Sequence, residues 1–223
     1  MKQAPRTAGE PKERLEAMIA EVNQGLLPEL RLASEHPHHP VTVHSVSAPW
    51  QLVGAGNYAA VVEHPEYSGL VVKVYAPGRP GIEAEAEVYR RLGKHPAYSE
   101  CCYSRVKSGF LILRKLHGTT LYDCLRQGIP VPQKVMQDID EALAYARRLG
   151  LTPHDVHGKN VMMREGRGIV VDVSDFMNPE PCTMWSDLKR AYKLLYPPWL
   201  RRIPVPDLLL DVIRRGYRLL KRR

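Results

Sequence analysis

No stretch of this 223-residue chain approaches the roughly 20 consecutive apolar residues that a membrane-spanning helix needs. Residues 1–16 lack the apolar core of a secretory signal, so the cytoplasm is the expected compartment. Cysteine is scarce. Cys101, Cys102, Cys124 and Cys182 include no C-x-x-C spacing, and the adjacent pair suits neither a metal knuckle nor an ordinary disulfide. Reduced thiols are the expectation. Internal repeats and low-complexity tracts are also missing, which excludes a solenoid. What is present is ordinary for a globular protein: 44% hydrophobic and 25% charged residues, in a length that suits one domain or two small lobes.

Negative charge is short at one end only. Of the formal net charge of +8, Arg201–Arg223 supplies most, with eight Lys and Arg against Asp207 and Asp211. A contact with a polyanion or an acidic membrane, if the chain makes one, belongs to this tail. Leu209, Val212, Ile213, Gly216 and Leu220 are spaced as one apolar helical face there. A final helix packed on the rest of the chain gives the same pattern.

Along the chain, Leu15, Met18, Ile19 and Val22 mark an amphipathic helix over 13–24 that ends near Gly25. The prolines of Glu35-His-Pro-His-His-Pro40 read as a linker. From Val41 to Leu116 the pattern is short β-rich runs (41–46, 50–53, 58–63, 70–75, 103–107 and 110–113), interrupted by one helix over 81–92. Beyond Leu121 the chain reads as mainly helical, with helices over 131–149, 184–195 and 207–220 and two strands over 161–163 and 168–172. The expected divisions are an N-terminal extension (1–40), a sheet-rich part (41–116), a helical part (117–200) and a basic tail (201–223).

Several residues then stand out chemically. Gly54-Ala55-Gly56-Asn-Tyr-Ala59-Ala-Val61 lies between two strands, and a glycine hairpin lets backbone approach phosphate oxygens closely. Ordinary turns use the same residues. Lys73 sits inside the apolar run Leu70-Val-Val-Lys-Val-Tyr, where burial of its charge requires an anion. On a helical wheel Glu85 shares the inward stripe of Val88, Tyr89 and Leu92, so it needs a cation, and Lys73 is the natural partner. Further on, His154-Asp155-Val-His157-Gly-Lys159-Asn160 precedes a strand, and Ile169-Val-Val-Asp172-Val-Ser-Asp175 ends one. Asp and Asn provide the hard oxygen ligands that Mg²⁺ takes.

These residues, in this order, resemble the protein-kinase-like superfamily over about Trp50 to Leu195. Gly54–Val61 is similar to the glycine loop G-x-G-x-x-G-x-V, with Ala59 in place of the third glycine. Leu70-Val-Val-Lys73 resembles V-A-I-K, and Glu85 its helix partner. Leu111–Leu121 resembles the hinge, which implies adenine contacts with backbone near Arg114 to Leu116. Asp155 and Asn160 match the D-x-x-x-x-N spacing and Asp172 the metal-binding Asp that follows. Trp185-Ser-Asp187-Leu resembles a later helix whose buried Asp anchors the catalytic loop. The resemblance implies an α+β, bilobal fold with a small antiparallel sheet lobe and a truncated helical lobe.

The departures matter. H-R-D is absent, and His157 makes the loop D-x-H-x-x-N, more like aminoglycoside and choline phosphotransferases. Val-Ser follows Asp172 in place of Phe-Gly. Asp175 is a second candidate metal ligand. No A-P-E segment fits between Asp172 and Asp187, so no activation-loop switch is expected. The resemblance implies ATP and Mg²⁺ as cofactors, Lys73 on the phosphates, Asp155 as the proton acceptor, and His157 or Lys159 beside the transferred group. The expected acceptor is a protein Ser or Thr hydroxyl. A small-molecule acceptor and a nucleotide-binding module without turnover are the alternatives.

Overall fold

The computed structural model describes residues 11–36, 39–197, 200–210 and 212. Contacts divide the chain into two compact units, one of residues 1–90 with 100–115 and one of residues 91–99 with 116–223. It is a mixed α/β protein with antiparallel sheets.

The first unit opens with α1 (Pro11–Glu21), which runs on through a wider-wound turn at Val22–Leu26 into α2 (Leu27–Glu29). The helical segment therefore passes Gly25 rather than ending there. Met18, Val22 and Leu26 continue one buried stripe, and that burial outweighs the weak helix propensity of glycine. Next, β1 (Arg31–Ala33) pairs antiparallel with β2 (Thr42–Ser45) as a separate two-stranded sheet. β1 is a strand that three residues of sequence could not announce, and its Leu32 lies opposite Val43.

The main sheet holds β3 (Gln51–Ala55), β4 (Ala59–Glu63), β5 (Leu70–Tyr75), β6 (Cys101–Arg105) and β7 (Phe110–Arg114), in the order β3-β4-β5-β7-β6. Period-2 alternation sends Val72, Val74, Phe110 and Ile112 to one face, where they pack with Trp50 and the α1 stripe as a core. Lys73 is thus in the central strand, with Val61 and Leu111 as its register neighbours. That excludes an edge or outward-facing lysine. α3 (Ile82–Leu92) crosses from the first unit into the second.

The second unit contains β8 (Thr119–Thr120), α4 (Leu121–Gln127), α5 (Gln133–Arg148), β9 (Val161–Arg164), β10 (Arg167–Val170) and α6 (Met184–Leu195). α5 buries Val135, Ile139, Ala142 and Ala146 at helical spacing. β10 comes so close to it that a Cβ on Gly168 would lie 2.5 Å from the Val135 carbonyl oxygen. Buried Asp138 fixes this junction, accepting from Arg167 Nε (2.7 Å), Arg167 Nη2 (3.1 Å) and the Gly168 amide (3.0 Å). The Arg167 guanidinium, and after it Lys134 and the Gly168 amide, hold the Asp138 carboxyl well below the usual range against the opposing effect of burial. The β9–β10 turn has Glu165 and Gly166 both at positive φ, as a tight two-residue hairpin requires. α6 is tied to α5 through Asp140, whose Oδ1 accepts from Trp185 Nε1 and Lys189 Nζ, each at 2.7 Å.

The four cysteines are free thiols, and burial pushes Cys101 and Cys124 up to about 11, which keeps them protonated. Among the described residues no helix is long and apolar enough to cross a membrane. Most of the helix expected over 207–220 lies outside the described residues, which show only its start at 207–210 and 212.

Candidate active site

Lys73 and Glu85 meet inside the first unit. Nζ of Lys73 donates to Oε1 of Glu85 at 2.8 Å, with Lys73 only 8% exposed and Glu85 fully buried. A third residue, not foreseen, completes the arrangement: the Tyr75 hydroxyl donates to Oε2 of the same carboxylate. Both carboxylate oxygens of Glu85 are therefore paired, which is what makes a buried carboxylate tolerable. The signal for Tyr75 was available, since residues two apart on a strand share a face and Tyr75 follows Lys73 by two. The Lys73 ammonium also lies 5.8 Å from the Tyr75 ring centroid.

The glycine hairpin joins β3 to β4, with Gly54 opposite Val61 and Ala55 opposite Ala60. Gly56 donates its N–H to the Ala59 carbonyl at 2.9 Å and its own carbonyl accepts from Val41, so the turn is closed and anchored. Gly54 has no positive φ and nothing within 4 Å of where a Cβ would stand. Neither backbone strain nor packing demands glycine there. Ala59 is buried, and Val61 sits across from Lys73. Arg114 ends β7, with its amide donated to the Glu100 carbonyl and its side chain paired with the Glu100 carboxylate at 3.2 Å. The Lys115 amide goes to the Gly69 carbonyl. Leu116, half-buried, opens the segment that belongs to the second unit.

In the second unit the sequence 154–160 folds into a loop. Asp155 has φ +54°, a left-handed conformation that is uncommon for any residue but glycine. Asn160, five residues on, turns back on it, its Nδ2 donating to the Asp155 carbonyl at 3.0 Å and approaching Oδ2 at 3.4 Å. The Asn160 amide donates to the His157 carbonyl, and the Asn160 carbonyl accepts from the Val171 amide at 2.9 Å. That last bond joins the loop to the strand leading into Asp172. His157 Nε2 lies 3.7 Å from Asp155 Oδ2, and the Lys159 ammonium rests 4.4 Å from the Tyr122 ring centroid. Asp172 folds back to accept the Ser174 amide, and the Asp175 carbonyl accepts from Asn178.

Electrostatics distinguish Asp155. Burial raises its pKa first, His157 opposes this, and the charges of Asp175 and Asp172 raise it further. Asp172 and Asp175 thus both act on the charge of Asp155. Among the described residues, no three His, Cys, Asp or Glu side chains already converge as a metal-holding group. Mg²⁺ needs fewer, since it takes one or two carboxylates and completes its shell with phosphate oxygens and water. An amide oxygen at Asn160 and a carboxylate at Asp172 or Asp175 are the right donor chemistry.

The comparison with known proteins decides the family. Over 166 residues the chain is 31% identical to a Bacillus subtilis (strain 168) protein named "Putative serine/threonine-protein kinase YrzF", a match that covers 74% of this chain and 71% of that protein. The chain belongs to that kinase-like family. No family model matches the chain. Asp187 is half-buried and accepts from Thr183 Oγ1 at 2.8 Å, at the start of its own helix. A cavity of about 140 Å³ lies between α5 and α6, reaching Pro153 and Val156 beside Asp155, with Asp140, Cys182 and Trp185 in its wall.

Proposed function

We propose that the chain transfers the γ-phosphoryl group of Mg-ATP to a hydroxyl acceptor, a Ser or Thr of a protein. The observation that carries this reading is the loop at 154–160, where Asn160 donates back to the Asp155 carbonyl and its own carbonyl accepts from the Val171 amide, one residue before Asp172. A divalent cation held there would offset the charges of Asp172 and Asp175 that act on Asp155.

ATP supplies the phosphoryl group and Mg²⁺ neutralises charge on its oxygens. Lys73, fixed by Glu85 and Tyr75, is the residue to meet the α- and β-phosphates, and the hairpin from Gly54 to Ala59 is the segment to cover them. The Gly56 amide is already donated to the Ala59 carbonyl, so it would not be among the hairpin amides that meet phosphate. With the amides of Arg114 and Lys115 also committed, a base would be read by carbonyls of that segment and by Leu116. Asn160 and Asp172 would hold the metal, with Asp175 as the second acid. Asp155 would accept the proton of the acceptor hydroxyl, and His157, 3.7 Å from its Oδ2, or Lys159 would offset charge on the group in transfer.

A small-molecule acceptor is the second reading, and it rests on His157 beside Asp155 in a D-x-H loop like that of small-molecule phosphotransferases. Incubation of purified chain with γ-labelled ATP, Mg²⁺ and cell extract tests both. Label on protein supports the first, label on metabolites the second. In either case Asp155→Ala should lower transfer by at least roughly a hundredfold while nucleotide still binds. Full transfer by that variant, or nucleotide binding without turnover in the wild type, would overturn the assignment.

A further inference from the structure

Hydrogen bonding within the 154–160 loop fixes the tautomer of its second histidine. The Lys159 backbone N–H, two residues on, donates to Nδ1 of His157 at 3.2 Å. A neutral imidazole accepts at one ring nitrogen and donates at the other, and the bond made by one nitrogen decides which is which. The lone pair is therefore at Nδ1 and the proton at Nε2. Nε2 is the nitrogen beside Asp155, 3.7 Å from its Oδ2. That separation is a few tenths of an ångström beyond a hydrogen bond, and contacts between catalytic groups commonly tighten once substrate is bound.

The two oxygens of Asp155 are consequently not equivalent. Oδ2 has two donors close by, Nε2 of His157 and Nδ2 of Asn160 at 3.4 Å, whereas among the described residues none donates to Oδ1. Asn160 also fixes the backbone, donating to the Asp155 carbonyl at 3.0 Å where φ is +54°. A carboxylate on a loop otherwise turns about two side-chain torsions, and misplacing a catalytic group by about 1 Å can cost roughly a hundredfold in rate. Lys159 is engaged elsewhere. Its ammonium rests on the Tyr122 ring, and the Tyr122 amide donates to the Gly158 carbonyl at 2.9 Å, which ties that residue to the loop.

We propose that His157 is a positioning residue: with Asn160 it holds Oδ2 of Asp155, so that Oδ1 is the oxygen that takes the acceptor's proton. This role rests on the phosphoryl transfer proposed above. In that transfer the acceptor oxygen bonds to the γ-phosphorus while its proton passes to Oδ1, the bond to the β–γ bridging oxygen breaks, and ADP leaves. Offsetting charge on the group in transfer then falls to Lys159.

Two amide variants separate the two ring nitrogens. His157→Asn puts a carbonyl oxygen where Nδ1 stands, one bond beyond Cγ, and keeps the bond from the Lys159 amide. His157→Gln puts an N–H where Nε2 stands, two bonds beyond Cγ, and keeps the donor to Asp155. The measurement is label passed from γ-labelled ATP, with Mg²⁺, to a heat-inactivated cell extract, over a range of ATP concentrations. His157→Ala should lower the limiting rate by at least roughly tenfold and leave the apparent KM for ATP unchanged. His157→Asn should be as slow as His157→Ala, and His157→Gln should exceed both by at least roughly fivefold. Because His157→Asn keeps the loop's own hydrogen bond, the comparison of Asn with Gln stands even where the alanine variant does not fold. A purely structural role predicts the opposite order, Asn above Gln, and that order overturns the proposal. Wild-type transfer by His157→Ala, or a loss confined to KM for ATP, overturns it too. Those results leave phosphoryl transfer in place, whereas a wild type that transfers no label refutes the transfer itself and this role with it.

Discussion

Asp155 is held in an unfavourable state twice over. Its backbone occupies the left-handed region, and its carboxyl binds a proton more tightly in the folded chain than in the unfolded one, through burial first and then Asp175 and Asp172, with His157 opposing. The sign of the linkage follows: a raised carboxyl pKa favours the native state at low pH, and that contribution is lost as pH rises through the raised value. Asp155→Asn removes the charge and substitutes a residue that tolerates positive φ better. It should melt at a higher temperature than wild type at neutral pH, with the gap closing below the ordinary carboxyl range. Transfer should be abolished in the same protein. For wild type, the acid limb of the pH–rate profile should lie above the usual Asp value, because Asp155 must be ionised to accept a proton. An equal or lower melting temperature for the Asn variant at neutral pH would show that Asp155 is not under strain. Tyr75 acts in the opposite sense, as a stabiliser. Tyr75→Phe leaves Oε2 of a fully buried Glu85 without that donor and should cost about 1–3 kcal/mol in urea unfolding. A loss within error of zero would mean that the hydroxyl is dispensable to the ion pair.

Elements were legible in proportion to how much of their pattern is local. β5 occupies the residues its apolar run marks, 70–75, and α6 the residues expected, 184–195, because each carries an uninterrupted period of its own. β1 was missed because three residues hold no period, and its pairing with β2 crosses the His-Pro segment. The end of α1 was misjudged at Gly25, where burial of Val22 and Leu26 is a tertiary effect. β6 begins two residues earlier than expected, at Cys101, because pairing with Leu113 on β7 draws the vicinal cysteines into the sheet. Gly168 shows the same limit from the other side. It lies mid-strand at ordinary φ, and only the approach of α5 explains it. Gly168→Ala would put a methyl group 2.5 Å from the Val135 oxygen and 3.0 Å from Ile139 Cγ1, both in one helix. The strand must retreat, and with it the bonds to Asp138. The expected cost is about 1–3 kcal/mol in chemical denaturation, against a few tenths for Gly166→Ser at the exposed turn if glycine there served only flexibility. Since Gly166 stands at φ +75°, it too should cost roughly 1 kcal/mol, with no clash to add.

For the molecule as a whole, the ion pair and the loop were legible for different reasons. Lys73 and Glu85 could be paired from burial logic alone, because each is a charge on an apolar face. The loop at 154–160 was legible by order and spacing, but the choice between Asp172 and Asp175 was not, since both acids lie close enough to act on Asp155. Ligand linkage separates them. A ligand that binds only the native state at a hundredfold excess over its dissociation constant stabilises by about 2.7 kcal/mol. For a chain of this length that is a rise in melting temperature of roughly 5–10 °C. Wild type should show such a rise with ATP and Mg²⁺ together and much less with ATP alone, because the three acids repel the phosphates when no cation intervenes. Asp155→Asn should keep the rise, since its carboxylate is assigned to the proton and not to the metal. Of Asp172→Asn and Asp175→Asn, the variant that loses the Mg²⁺-dependent part identifies the metal ligand, and Asp172 is expected, because the bond from the Val171 amide to Asn160 places it next to the other ligand. A full rise with ATP alone in wild type would remove the cation from the argument and leave a nucleotide-binding protein whose acids serve another end.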